Sequence, residues 1–161
     1  GHLDVVKLLL EKKANIEAAD KDGWTSLTSA SDQGHLDIVK LLLEKKANIE
    51  AADKDGDTSL TWASDNGHLD VVKVLLEKKA NIEAADKNGW TSLRSASYNG
   101  HLEIVKLLLE KKANIEAATN KGWTSLKAAS ANGHLDVVKV LLEKKANIEA
   151  ADKDGDTPLN N

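Results

Sequence analysis

The amino-acid sequence predicts an all-α solenoid, a single domain over residues 1–161 built of stacked helix-turn-helix units joined by β-turn or hairpin loops. Three observations predict it. Gly-His recurs at Gly1-His2, Gly34-His35, Gly67-His68, Gly100-His101 and Gly133-His134, a constant step of 33 residues, and a fixed period of this length marks a repeat architecture. A second series, Gly23, Gly56, Gly89, Gly122 and Gly155, keeps the same step 11 residues ahead of where the next Gly-His falls. Each period also holds two stretches of helical spacing with a turn signal beside them.

The elements follow in order within one period. AADKDGD, residues 51–57, has the Asp and Gly chemistry of a tight turn. In TSLTSASDQ, Thr25 can cap a short helix that places Leu27 and Ala30 three apart, and Gly34 can end it. In LDIVKLLLEKK, Leu36 to Lys46, the residues Leu36, Val39, Leu42 and Leu43 share one face with Asp37, Lys40 and Glu44 opposite, the pattern of an amphipathic helix. Two short helices cannot bury their apolar face alone, so each unit must stack on a neighbour. Composition agrees: 41% of residues are apolar, yet Phe, Met and Cys are absent. The interior must therefore be Leu, Val, Ile and Ala.

These residues carry a family resemblance. Through DKDGWTSLTSA, GHLDIVKLLLEKKANIEAA and their copies, the chain resembles the ankyrin repeat family over essentially its whole length. The reading divides it into a partial repeat 1–19, full repeats 20–52, 53–85, 86–118 and 119–151, and a partial repeat 152–161. It departs from the family pattern in two places. The Thr-Pro-Leu-His signature survives only as Thr157-Pro158-Leu159, the other copies reading Thr-Ser-Leu. Lys13, Lys46, Lys79, Lys112 and Lys145 stand where the family favours Gly after the second helix, and a left-handed backbone there costs each roughly 1 kcal/mol. The segment LLEKKANIEAA occurs five times unchanged, as recent tandem duplication or engineering produces. With no Met in the sequence, the expectation inclines to an engineered or excerpted chain.

Several function classes drop out on composition. Without cysteine there is no disulfide framework and no thiolate metal site, which suits a reducing, cytoplasmic setting. With 22 basic and 26 acidic residues the formal charge is −4, against the basic balance of nucleic-acid binders. No apolar run is long enough for a membrane span. All 10 glycines belong to the two series, leaving none for a phosphate-cradling loop. One histidine per repeat on helices about 8–10 Å apart cannot share an ion held at about 2 Å, so no metal or cofactor is expected. The serine column Ser31, Ser64, Ser97 and Ser130 has no His-Asp pair that the period would assemble beside it, so no catalytic residue is expected. Glu11, Glu17 and their copies, interleaved with Lys-Lys pairs, read as a solvated edge of mixed charge.

What remains informative is where repeats differ. The varying columns are Asp22/Asp55/Asn88/Lys121, Trp24/Asp57/Trp90/Trp123, Thr28/Thr61/Arg94/Lys127, Ser29/Trp62/Ser95/Ala128 and Asp32/Asp65/Tyr98/Ala131, with smaller changes at Asp20/Asp53/Asp86/Thr119 and Lys21/Lys54/Lys87/Asn120. They hold every aromatic in the chain. Because Asp replaces Trp in one column, Trp24, Trp90 and Trp123 are expected at least partly exposed, whereas Trp62, beside Leu60 and Ala63, reads as packing. Trp90, Arg94 and Tyr98 can share a face at spacing four. The resemblance implies that turn tips and first helices line a concave binding surface. Its charge over these columns runs −2, −3, +1 and +2 along the full repeats, which suits a protein partner of mixed charge. The expected function is a non-enzymatic protein-protein interaction module with Trp90, Arg94, Tyr98, Lys121, Trp123 and Lys127 as anchors and Trp24, Asp57 and Asp65 in support. The alternative is a structural scaffold, a homo-oligomer stacking head to tail through uncapped ends that expose Leu3, Val6 and Leu10.

Overall fold

The computed structural model describes residues 1–160, in two compact units, the first Gly1–Asn81 and the second beginning at Ile82. The first holds α1 (Leu3–Glu11), α2 (Ser26–Asp32), α3 (Leu36–Glu44), α4 (Ser59–Asp65) and α5 (Leu69–Glu77). The second holds α6 (Ser92–Tyr98), α7 (Leu102–Glu110), α8 (Ser125–Ala131) and α9 (Leu135–Glu143). In each unit a short helix pairs with the longer one that follows it, α2 with α3, α4 with α5, α6 with α7 and α8 with α9. Like helices of successive repeats then pack side by side, α2 on α4 and α3 on α5 in the first unit, α6 on α8 and α7 on α9 in the second. Among the described residues no helix is long and apolar enough to cross a membrane.

Threonine starts every short helix. The Oγ1 of Thr25, Thr58, Thr91 and Thr124 accepts the N–H three residues on, at 3.2, 3.5, 3.4 and 3.3 Å, satisfying a donor the helix leaves free. The helix stops where Gly34 turns left-handed (φ 69°) and His35 N–H returns to the Ala30 carbonyl at 2.8 Å. The long helix buries Ile38, Val39 and Leu42, whereas Leu36 and Leu43 of the expected face are half-buried, so the buried stripe is shifted toward Ile38. It ends at Glu44, two residues short of Lys46, because Lys46 itself takes the left-handed conformation (φ 66°) and Ala47 N–H closes onto the Leu42 carbonyl at 2.9 Å. All five lysines of that column have φ between 64° and 66°. Side chains such as Leu27, Leu42, Leu60 and Leu75, or Leu93, Leu108, Leu126 and Leu141, are fully buried and stabilise by about 1.5–3 kcal/mol each.

Successive repeats are tied by more than apolar contact. The column expected to be simply solvated is a rail: Glu17, Glu50, Glu83 and Glu116 each accept the backbone N–H of an asparagine 31 residues on, Asn48, Asn81, Asn114 and Asn147, at 2.7–2.8 Å. A period-based reading sees the charge of this column and not the backbone N–H that it meets in the next repeat. The Nε2 of His68 contacts the Asp32 carbonyl at 2.7 Å, and that of His134 the Tyr98 carbonyl at 2.8 Å, closing off the end of the preceding short helix.

Candidate functional site

The loop before each short helix is organised by its first side chain. Asp86 Oδ1 accepts the N–H of Asn88 at 2.8 Å and of Trp90 at 2.7 Å, while its own N–H reaches the Trp90 carbonyl at 3.0 Å. This closes an Asx turn and fixes Trp90 one residue before the cap of α6. Asp20 makes the same turn, and backbone N–H groups, foremost that of Trp24, hold its carboxyl below the usual range.

In the second unit this loop geometry assembles a cluster. The central carbon of the Arg94 guanidinium lies over Trp90, 3.2 Å from the ring centroid, and 5.7 Å from the Trp123 centroid. Tyr98 meets Trp90 edge-on with centroids 5.4 Å apart. Lys127 places Nζ 5.2 Å from the Trp123 centroid and donates to Asp152 Oδ2 at 2.5 Å and to the Asp156 carbonyl at 3.0 Å. Trp90 and Trp123 are half-buried and Tyr98 is 39% exposed. Together with Asn88, Thr119, Asn120 and Lys121 they line an open cavity of about 670 Å³, to which Asp152, Asp154 and Asp156 also contribute.

The cluster corrects the expected role of its cations. Arg94 and Lys127 are only 3% and 1% exposed, so neither is a free surface anchor. Each sits within the packing, its charged end against indole rings. Lys127 is neutralised by Asp152, a residue of the trailing segment, and the Lys127 hydrogen bond holds the Asp152 carboxyl below its ordinary range. Arg94 differs. Its Nε and Nη1 have no hydrogen-bond partner, and burial brings its pKa down to about 10, partly offset by Asp86 and Tyr98. The other buried side-chain atoms without a partner among the described residues are serine hydroxyls.

The first unit builds a smaller relative of this site. Trp24 and Trp62 meet with ring centroids 4.8 Å apart and planes tilted 46°. Trp62 is half-buried and donates Nε1–H to Asp53 Oδ2 at 3.0 Å. With Asp20, Asp22, Lys54 and Asp55 they line a groove of about 470 Å³. Asp57 closes its loop by donating its N–H to Asp53 Oδ1 and accepting the Asp53 N–H at its carbonyl, and Asp65 is the last residue of α4; both are half-buried.

Sequence reasoning missed Asp152 and the importance of Thr119, although the Asp20/Asp53/Asp86/Thr119 column did show one non-acidic member. Among the described residues no group of three or more His, Asp or Glu side chains is placed to hold a metal. The cluster offers aromatic faces, polar groups and a buried cation, the equipment of noncovalent recognition.

A family model described as "Ankyrin repeats (3 copies)" matches residues 1–53 and 49–119, and one described as "Ankyrin repeats (many copies)" matches residues 126–161. No curated protein matches the chain.

Proposed function

The chain belongs to the ankyrin repeat family, whose members are generally protein-protein interaction modules and typically not enzymes, and from that premise we propose that it binds a protein partner through the cavity of its second unit. The observation that carries this reading is the Trp90–Tyr98–Trp123 cluster, in which large aromatic surface stays partly open to solvent at the turn tips and short helices. Trp, Tyr and Arg are the residues on which binding energy concentrates. Trp90, Tyr98, Trp123 and Lys121 make the direct contacts. Arg94 and Lys127 lie buried beside the rings, and Trp24, Asp57 and Asp65 form a separate candidate set in the first unit. The mixed charge of these residues suits a partner that is itself of mixed charge. The test is partner capture by Trp90→Ala and Tyr98→Ala: a loss supports the assignment of this face, and unchanged capture refutes it.

One observation favours a second reading, self-association as a structural scaffold. α1 has no buried residue, but Leu3, Val6 and Leu10, the residues expected to be exposed, are half-buried, and it is Val5, Leu8 and Leu9 that are exposed, with Leu135, Leu142 and Ile148 in the second unit. Head-to-tail mating of such surfaces would bury them. Sedimentation as a monomer at high concentration removes this reading.

A further inference from the structure

The repeat register brings out an asymmetry between the two buried cations. Lys127 meets a carboxylate 25 residues on, at Asp152. The residue 25 on from Arg94 is Thr119, where this column otherwise carries Asp: Asp20, Asp53, Asp86 and Asp152. Thr119 cannot take over the carboxylate's role. Its Oγ1 already accepts the N–H groups of Lys121 and Trp123, at 3.3 and 3.1 Å. Arg94 is only 3% exposed, it lines the cavity, and its Nε and Nη1 bond to nothing. A guanidinium beside two indoles, its Nε and Nη1 unbonded and Asp86 acting on it through its charge, is a receptor for a planar anion, because charge-assisted N–H···O bonds strengthen where water is excluded.

We infer that the cavity of the second unit takes a carboxylate side chain of an acidic partner segment, a glutamate or aspartate that enters between Trp90 and Trp123 and bonds Arg94 as Asp152 bonds Lys127. This deepens the protein-binding reading above and rests on it. The wall bearing Asp154 and Asp156 favours a single inserted acid over a run of them, since Asp152 is already matched by Lys127 while the other two add like charge. Lys121, which lines the cavity and is exposed, adds attraction.

The test uses the whole chain and three probes: the peptide acetyl-Gly-Ala-Glu-Ala-Gly-amide, its Gln counterpart, and sodium acetate. NMR follows the Arg94 Nε–H signal and the indole N–H signals of Trp90 and Trp123. The Glu peptide is expected to shift all three saturably, with the Gln peptide and acetate each weaker by about tenfold or more. Thr119→Asp, which supplies the column's own acid, is expected to move the Arg94 signal without ligand and to weaken the Glu peptide about tenfold or more; Arg94→Gln is expected to do the latter as well. Equal response to Glu and Gln peptides overturns the inference. Equal response to acetate overturns its assignment to a polypeptide side chain. If Thr119→Asp does not fold, Arg94→Gln decides: undiminished binding of the Glu peptide overturns the inference. Failure here is separable from failure of the protein-binding reading, since Trp90→Ala and Tyr98→Ala abolishing partner capture while Arg94→Gln leaves it intact would sink only the carboxylate.

Discussion

The Arg94 guanidinium carbon stands 3.2 Å from the centroid of Trp90, so a side chain of formal charge +1 is buried against an aromatic face in the second unit. The contact partly replaces lost hydration, and a desolvated cation–π pair is worth about 2 kcal/mol. A double-mutant cycle with Trp90→Leu and Arg94→Met is expected to return a coupling of about 1–2 kcal/mol. Arg94→Met alone is expected to be neutral or stabilising in urea denaturation, since it removes a buried charge with unmet donors. A large loss of stability in that single variant would show that Arg94 is satisfied in a way its Nε and Nη1 do not reveal.

Lys127 and Asp152 form the opposite case, a buried cation with its acid. Asp152→Asn leaves Lys127 buried without a counter-ion and is expected to cost more stability than Lys127→Met, which removes the charge altogether. Acid should show the same pair. The folded Asp152 carboxyl titrates below its ordinary value of 3.8, so its contribution is fully present above that value and lost as pH falls through the lower, folded one. Denaturant midpoints measured from neutral to acid pH should fall less steeply at the acid end in Asp152→Asn than in the wild type.

The left-handed lysines carry a removable cost. At Lys112, φ is 66°, and glycine relieves the clash of Cβ with the following carbonyl. Lys112→Gly is expected to gain about 1 kcal/mol, a rise in Tm of about 2–4 °C for a chain of this size. Thermal unfolding followed by circular dichroism checks this, and no change would mean that the lysine stem packs well enough to offset the strain.

Gly100 and Gly133 test the histidine contact. Both have positive φ, 75° and 70°, but a Cβ on Gly100 lands 2.5 Å from His134 Nδ1, while one on Gly133 meets nothing within 4 Å. Gly133→Ala is expected to cost only the backbone term of about 1–2 kcal/mol. Gly100→Ala is expected to cost more, since it also displaces the ring bonded to the Tyr98 carbonyl. Equal costs would show that the His134 bond contributes nothing.

The fold was legible because its signals are local and repeated. Thr25, Gly34 and the Leu42 face each act within a few residues of themselves, and the 33-residue step repeats that information along the chain. The grouping of Trp90, Arg94 and Tyr98 was legible for the same reason, since spacing four on one helix face is local geometry. The burial of Arg94 and Lys127 was not. It depends on Trp123 and Asp152, 29 and 25 residues further on, so it exists only after repeats stack. The Glu17 to Asn48 bond was hidden in the same way, 31 residues apart.

The most direct measurement of the central claim compares partner capture by the wild-type chain and by Trp90→Ala/Tyr98→Ala/Trp123→Ala, both shown to be folded by circular dichroism and quantified by mass spectrometry. The account predicts that proteins enriched on the wild-type chain fall by about tenfold or more on the triple variant, the loss of at least one hot-spot contact. Equal enrichment on the two folded chains would contradict it.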